Sequence, residues 1–443
     1  MATIQPPDGA EMWAACRGPV GFATVSKMAT ETSRRLRSGA VIAVAMGIMN
    51  LSTYGYTVLA AHTIGKEAYG AFSALMGALL VISVLSLGLQ ATGARRISAA
   101  PDQVVAIERV VLGVGLRSAL VLGALCLLLA PVLNTMLHLD SLPTALLVGV
   151  ATFPLTYMGG QAGVLQGERR WAPLAGVYLA QGLGRIGFGT VLILISPTEF
   201  SAMLGVALGC WVPVVVGWFA LRRPRVDVPH SEGHPGLDLL REVGHSSQAL
   251  LAFFALSNAD ILVARATMSD SQAGLYAAGL IMAKAVLFLP QFVVVYAFPS
   301  LSKEETTRRT LLLALTLSAG LGMVAVIGTL LFPNLALLFV GGDDFAGIQD
   351  DLWKFAVVGT LLAMIQLLVY SALARRQGRA VILIWTALVW LVAGALLVST
   401  AQSLVLVVMC IDGALFFALL GVALLMGRPA AKPAVPDEVR ANP

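Results

Sequence analysis

Residues 60–74 read AAHTIGKEAYGAFSA and residues 264–278 read ARATMSDSQAGLYAA, two versions of one pattern set 204 positions apart. In this register Thr63 aligns with Thr267, Gly70 with Gly274, and the aromatic residue Phe72 with Tyr276. A second match lies at an offset of 202, where residues 128–131 (LLAP) align with residues 330–333 (LLFP). Chance similarity between apolar helices is the alternative, but two matches at nearly one offset favour an internal duplication.

The composition places both copies in a membrane. Hydrophobic residues make up 58% of the 443 residues and charged residues only 12%, whereas soluble domains are about one quarter charged. Apolar runs of about 20 residues, the length that crosses a bilayer as a helix, recur from Ala40 to Met426. We therefore predict an all-α integral membrane protein.

Twelve membrane spans are predicted, at residues 40–61, 70–91, 111–133, 142–165, 172–195, 201–220, 246–266, 274–298, 309–332, 354–374, 380–399 and 404–426. The basic residues support this count. Of the 29, 24 fall on the side of the N-terminus, two lie within spans, and only Lys66, Arg265 and Lys354 lie on the other side. Because basic loops stay in the cytoplasm, we expect a multi-pass protein of the plasma (inner) membrane with both termini cytoplasmic.

The spans divide six and six, which predicts two pseudo-symmetric six-helix bundles around a V-shaped central cleft. The lobes are expected at residues 34–221 and 246–427, joined by a cytoplasmic loop at 222–245. Residues 1–33 and 428–443 are expected to be disordered, and Met28 offers an alternative start. An even number of spans in each half makes the halves parallel repeats, related by an axis along the membrane normal.

Several motifs resemble the Wzx-type flippases of polysaccharide biosynthesis. The stretch IGKEAYGAF at residues 64–72 is similar to the turn of that family written G-x-x-x-Y-G-x-F. Its counterpart is NAD at 258–260 followed by AGLYAA at 273–278, which continues into LP at 289–290 and FPSLS at 298–302. The stretch LQGERRW at 165–171 resembles the basic turn after the fourth span. Together these motifs cover roughly residues 34–426.

This resemblance implies a member of the superfamily that also contains lipid II flippases and multidrug and toxin extruders. The implied substrate is an oligosaccharide or repeat unit on a polyprenyl diphosphate, moved from the inner to the outer leaflet. Membrane lipids, and a polysaccharide polymerase or glycosyltransferases of the same pathway, are the implied partners. The lipid II branch typically has fourteen spans, so the predicted twelve argue against a peptidoglycan precursor.

Two cations lie deep in predicted spans, Arg185 in the fifth and Lys284 in the eighth. A charge at that depth costs at least about 2.5–3.5 kcal/mol, so each needs a partner or a function. One cation in each half would suit a diphosphate held between two walls of a cleft. The structural alternative for Arg185 is that it caps carbonyls or pairs with a carboxylate inside one bundle.

The candidate ion-coupling residues are Asp260 and Asp412, in spans seven and twelve. Asp260 has three interpretations: it neutralises Lys284 until substrate arrives, it binds a coupling proton or sodium ion, or it is a helix-end carboxylate that meets interfacial water. Asp412 ranks below it because the twelfth span is peripheral in the superfamily. Neutral polar residues on the implied cavity spans complete the candidate substrate site: Asn50, Gln90 and Asn258.

Other functions fit less well. No metal-ligand spacing, nucleotide-binding loop or nucleic-acid-binding stripe is present, so we expect no cofactor, no nucleic acid and no enzymatic activity. A membrane glycosyltransferase or polysaccharide polymerase would need acid–base residues on sizeable loops. A cation-coupled drug exporter shares the expected fold, and only the charge of the cavity distinguishes it from a flippase.

Overall fold

The computed structural model describes residues 19–222, 236–297, 307–374 and 378–425, which form helices and turns without any strand. The amino-terminal lobe consists of α1 (Pro19–Thr63), α2 (Lys66–Ile82), α3 (Val84–Ala99), α4 (Val104–Met136), α5 (Leu142–Gly167), α6 (Trp171–Ile195), α7 (Glu199–Gly209) and α8 (Trp211–Leu221). The carboxy-terminal lobe consists of α9 (Gly236–Thr267), α10 (Asp270–Ala297), α11 (Thr307–Leu331), α12 (Pro333–Val340), α13 (Leu352–Ala374), α14 (Gly378–Ala395) and α15 (Ala401–Leu425).

The predicted spans correspond to these helices. Eleven stretches within the described residues are long and apolar enough to cross a membrane, and they coincide with eleven predicted spans. The remaining predicted span, at 274–298, falls on α10, a helix of 28 residues. The expected all-α architecture is confirmed. Two spans are each built from two helices, because α2 meets α3 at Ser83 and α7 meets α8 at Cys210.

Helices extend into two segments that the sequence left unstructured. Helix α1 begins at Pro19, inside the stretch 1–33 that was expected to be disordered. Proline is favoured at the first helical position, and neither glycine nor proline interrupts residues 22–38. Helix α9 begins at Gly236, inside the expected loop 222–245. The expected tail 428–443, residues 1–18 and residues 223–235 lie outside the described residues.

The two lobes pack their helices in matching pairs, which supports the duplication. The first span of each lobe packs against the fifth, as α1 on α6 and α9 on α14. The second packs against the fourth, as α3 on α5 and α10 on α13. The third also packs against the fourth, as α4 on α5 and α11 on α13. One arrangement of helices is therefore used twice.

The lobes touch at the two glycines that the sequence repeat aligns. A Cβ atom on Gly70 of α2 would lie 3.0 Å from the backbone nitrogen of Gly274 on α10. A Cβ atom on Gly274 would lie 2.3 Å from the carbonyl oxygen of Lys66. Equivalent residues of two related halves can touch each other only on the axis that relates them. The pseudo-twofold axis therefore passes between Gly70 and Gly274.

Further contacts join the lobes on either side of this axis. We call the end with the α1–α2 and α9–α10 turns the predicted outer face, and the opposite end the predicted inner face. Tyr54 of α1 donates a hydrogen bond to the carbonyl oxygen of Ile281 on α10 (2.9 Å). At the predicted inner face, Arg95 and Arg96 of α3 both pair with Glu242 of α9.

Helix packing at the axis leads to the first prediction. We expect Gly274→Ala to destabilise the protein by about 1–3 kcal/mol, because its methyl group overpacks the α2–α10 contact. The matched control is Gly187→Ala on α6, where an added Cβ meets nothing within 4 Å. Thermal unfolding in detergent should show a lower midpoint for Gly274→Ala alone. Equal midpoints for the two variants would contradict close packing at the axis.

Candidate substrate and ion-coupling site

A polar pair links the first two spans of the carboxy-terminal lobe. Asp260 on α9 is 3% exposed, and Tyr276 on α10 donates a hydrogen bond to its Oδ2 atom (2.7 Å). The backbone N–H of Ile261 lies 2.8 Å from Oδ1. The two side chains face each other because α9 and α10 form a hairpin with its turn at Ser269. This carboxylate is therefore a defined internal site rather than a helix-end group meeting water.

Asp412 on α15 is a second buried carboxylate beside this pair. It is 1% exposed, and neither of its oxygens has a hydrogen-bond partner among the described residues. It interacts electrostatically with both Asp260 and Tyr276. A buried carboxylate without donors is costly, because burial removes the water that would solvate it. No described residue donates a hydrogen bond to offset this cost at Asp412.

Lys284 supplies the opposite charge. It lies on α10, three residues beyond Ile281 toward the predicted inner face, and its side chain is half-buried. It interacts electrostatically with Asp260. The structure thus brings together Asp260, Asp412 and Lys284, three of the residues singled out by the sequence. Of these three residues the lysine is the least buried.

The equivalent place in the other lobe is aromatic. At the offset of 204, Asp260 aligns with Tyr56 and Tyr276 with Phe72. Tyr56 and Phe72 form an edge-to-face ring pair with centroids 5.8 Å apart. Aromatic packing can therefore hold together the pair of helices that is equivalent to α9 and α10. The polar version in the carboxy-terminal lobe is not required by the fold, which makes it a candidate for function.

Arg185 does not join this group. It is 7% exposed on α6, and its Nη2 atom lies 3.7 Å from the sulfur of Cys210. It also interacts electrostatically with Tyr56 on α1. All of these neighbours belong to the amino-terminal lobe. These contacts lie inside one bundle, as in the structural alternative that the sequence analysis left open beside the cleft wall.

The neutral candidates lie at different places. Gln90 on α3 donates to Gln166 (2.8 Å) and to Tyr178 (2.6 Å), both within the amino-terminal lobe. Asn258 on α9 is 2% exposed and faces Gly77 of α2 across the lobe interface. Asn50 is half-buried on α1. Asn258 therefore belongs to the interface between the lobes, and Gln90 stitches helices together inside one of them.

Sequence reasoning missed the polar residues at the predicted outer face. A cavity of about 440 Å³ lies there, with five acidic and two basic residues in its lining: Glu67, Asp140, Glu199, Asp270, Asp344, Lys66 and Arg265. Arg265 is 3% exposed and pairs with Asp270 (2.8 Å). The signal was available, because Arg265 is one of only three basic residues on the side that such residues avoid.

No protein-family model matches the chain, and no curated protein sequence is similar to it. Solved structures do match. An inward-facing multidrug-resistance MATE transporter of the MOP superfamily gives a TM-score of 0.63 at 17% identity, over 85% of this chain and 95% of the other. The lipid II flippase MurJ in an inward closed conformation gives 0.67 at 12% identity, over 87% of each chain.

A third match is a MOP superfamily transporter from Pyrococcus furiosus, with a TM-score of 0.59 at 16% identity over 88% of this chain and 95% of the other. The description of that structure says that a reversed polarity of its binding pocket suggests a different function. These identities establish the fold alone. The chain has the fold of these transporters and of the flippase, none of which is an enzyme.

The polar pair of the hairpin yields the second prediction. Tyr276→Phe should destabilise the protein by about 1–3 kcal/mol, because it leaves a buried carboxylate oxygen of Asp260 without its donor. Tyr370→Phe is the control, since Tyr370 is 45% exposed and its hydroxyl accepts one bond from Gln366. Chemical or thermal unfolding of both variants measures the difference. A Tyr276→Phe protein as stable as the control would show that this hydrogen bond contributes nothing.

Proposed function

We propose that the protein is a flippase of the Wzx type, which moves a polyprenyl-diphosphate-linked oligosaccharide from the inner to the outer leaflet by alternating access of its two lobes. The fold supports transport, because the solved structures that share it are transporters and a flippase. The motifs at residues 64–72, 258–278 and 165–171 support the Wzx type. The proposed setting is the plasma (inner) membrane with both termini cytoplasmic, beside glycosyltransferases or a polymerase.

The observation that carries this proposal is the different burial of three charged residues in the carboxy-terminal lobe. Lys284 is half-buried, whereas Asp260 and Asp412 are buried. An ammonium group that is already balanced by a carboxylate can exchange that partner for a diphosphate, which bears two or more negative charges. The same ammonium group would repel a bulky cationic substrate. The least buried charge of the three therefore favours an anionic head group.

The buried carboxylates fit the coupling ion. When a diphosphate takes Lys284 as its partner, Asp260 loses its counter-charge and gains affinity for a proton or a sodium ion. Asp412 lies within electrostatic range of Asp260 and has no hydrogen-bond donor among the described residues. A cation bound between the two carboxylates would offset the charge of both. Substrate binding and ion binding are thereby linked through one small group of side chains.

The second candidate is a cation-coupled drug exporter, which the MATE structures share as a fold. The two carboxylates favour it, because carboxylate-lined lobes suit cationic drugs. The two carboxylates are only 3% and 1% exposed, which counts against their direct contact with a large substrate. Such carboxylates remain available to small ions, which both candidates use.

Charge at position 284 provides the third prediction. In proteoliposomes, Lys284→Gln should reduce transbilayer movement of a radiolabelled polyprenyl diphosphate disaccharide at least about tenfold, because one charge-assisted contact is lost. Lys284→Arg should retain most of the activity. Gln90→Ala serves as the control, because the two hydrogen bonds that Gln90 donates, to Gln166 and Tyr178, stay within the amino-terminal lobe.

Movement of a lipophilic cationic dye distinguishes the two candidates in the same vesicles. The flippase proposal expects no movement of the dye by the wild-type protein. Dye export without lipid movement by the wild-type protein would establish the exporter instead, and full lipid movement in Lys284→Gln would exclude Lys284 from the substrate site.

Ion binding at Asp412 provides the fourth prediction. Sodium or acid should raise the midpoint of thermal unfolding of the wild-type protein, because a bound ion stabilises the folded state by about 2.7 kcal/mol at one hundred times its dissociation constant. Asp412→Asn should abolish that rise, while Asp350→Asn, at an exposed residue of the predicted outer face, should keep it. An unchanged ion response in Asp412→Asn would exclude this carboxylate from the ion site.

A further inference from the structure

Helix α9 runs along α2 and α3 of the other lobe, and glycines line the contact. A Cβ atom on Gly77 would lie 3.5 Å from the Cβ atom of Asn258, and one on Gly88 would lie 2.1 Å from the Oγ atom of Ser247. Asn258 lies as far beyond Ser247 in the chain as Gly88 lies beyond Gly77. The helices therefore keep one antiparallel register between these two contacts. We call the contact of α9 with α2 and α3 the α9 seam.

Two buried polar atoms in the middle of the α9 seam are unpaired. Neither the Oδ1 atom of Asn258 nor the Oγ atom of Ser247 has a hydrogen-bond partner among the described residues. The Nδ2 atom of Asn258 is satisfied, because it donates to the carbonyl oxygen of Phe254 (2.9 Å). Across the seam, Gly77 and Gly88 offer no side chain. The closed seam therefore carries the free-energy cost of two polar atoms that are removed from water without a partner.

The equivalent contact on the other side of the axis is satisfied. At the offset of 204, Asn258 aligns with Tyr54 and Gly77 aligns with Ile281. Tyr54 donates its hydroxyl hydrogen to the carbonyl oxygen of Ile281 (2.9 Å). The same place in the interface thus holds a hydrogen bond on one side and an unpaired oxygen atom on the other. The fold therefore does not require the unpaired atom.

Buried hydrogen bonds hold the outer end of the α9 seam. Arg265, in the last turn of α9, donates its Nε to the carbonyl oxygen of Leu137 (2.8 Å) and its Nη2 to that of His138 (2.9 Å). Both acceptors follow α4 in the amino-terminal lobe. The register of the seam places Arg265 level with Gly70, at the axis contact with Gly274. A rotation about that contact moves the outer end little and the inner end most.

A histidine joins the lobes at the corresponding place on the other side of the axis. His62, in the last turn of α1, has its Nε2 atom 2.9 Å from the carbonyl oxygen of Leu338 on α12. At the offset of 204, His62 aligns with Ala266, the neighbour of Arg265. At the offset of 202, Leu338 aligns with Met136, where α4 ends. The lobes are therefore joined on both sides of the axis at the predicted outer face.

Ion pairs close the inner end of the α9 seam, which lies farthest from the axis contact. Glu242 of α9 accepts a hydrogen bond from the Nε of Arg96 (2.8 Å) and another from Arg95. The side chain of Arg95 is 56% exposed, against 20% for Arg96, so Arg96 is the stronger partner. Any separation of the lobes along the seam at the predicted inner face must break both pairs.

We propose that the α9 seam is the gate of the predicted inner face, and that opposed interactions within it set the balance between its two states. The ion pairs of Glu242 favour the closed state. The unpaired atoms of Asn258 and Ser247 favour the open state, in which water solvates them. The hydrogen bonds of Arg265 lie beside the axis and persist in both states.

The test measures opening of the seam without any substrate, so its failure would not contradict the proposed function. Val243, which is buried against Gly88, is replaced by cysteine after the four native cysteines are changed to alanine. In nanodiscs, a maleimide labels this thiol only when the seam opens, so the rate reports the open fraction even when it is small. A second reporter, Gly244→Cys at an exposed position, gives the intrinsic thiol reactivity by which each rate is divided.

We expect Glu242→Gln to raise the normalised labelling rate at least about threefold, because it removes the charge that holds the inner end closed. Asn258→Leu and Ser247→Ala should each lower the rate at least about fivefold, because each removes one unpaired atom from the closed seam. Ser318→Ala is the matched control. Ser318 is also buried, with an Oγ that lacks a partner among the described residues, but it lies on α11 inside one lobe. Its replacement should leave the rate unchanged.

Ser247→Ala is the decisive variant, because it adds no atom, whereas leucine at position 258 fills slightly more space beside Gly77. A labelling rate of Ser247→Ala equal to or above that of the parent protein would overturn the proposal. An equal fall in Ser318→Ala would also overturn it, because the effect would then not belong to the seam. A rate that Glu242→Gln leaves unchanged would exclude the ion pairs as the closing contact and overturn the gate.

Discussion

The backbone contact of Gly70 with Gly274 is the constraint on which the arrangement of the two lobes depends. Two helices approach this closely only where neither carries a side chain, and the duplication supplies a glycine on both. Because the contact lies on the pseudo-twofold axis, every other connection between the lobes occurs beside it. The proposed alternating access would therefore rotate the two lobes about this contact.

The two lobes depart from the repeat at the places where we propose that they have different tasks. The aromatic pair Tyr56–Phe72 and the polar pair Asp260–Tyr276 hold equivalent helices, yet only the second carries charge. The membrane makes that difference costly, since each buried carboxylate needs a partner or an ion. One lobe therefore bears the free-energy cost of a buried carboxylate at a position where the other lobe has two packed aromatic rings. A function for the carboxylate best explains this difference. The scaffold is symmetric, and the proposed chemistry is confined to one side of it.

The sequence predicted the fold well because the signals for it are long and repeated. Each span is about twenty apolar residues, and the basic residues fix the count. The grouping of Asp260 with Lys284 was also predictable, because a hairpin brings their helices together. Arg185 had two interpretations, a wall of the cleft or a partner inside one bundle, because depth in the membrane does not specify direction around a helix. The contact with Cys210 depends on how closely α6 packs against α7, and a single sequence does not contain that packing.

Arg265 and His62 make contacts that neither the depth of a residue in the membrane nor the composition of the sequence can predict. Both lie at helix ends on the side that basic residues avoid, and both point across the lobe interface to carbonyl oxygens. Main-chain acceptors leave no trace in a sequence, so no pattern of residue types could indicate these bonds. Only the sequence repeat and the three-dimensional structure together show that the bonds of Arg265 and His62 lie at corresponding places in the two lobes.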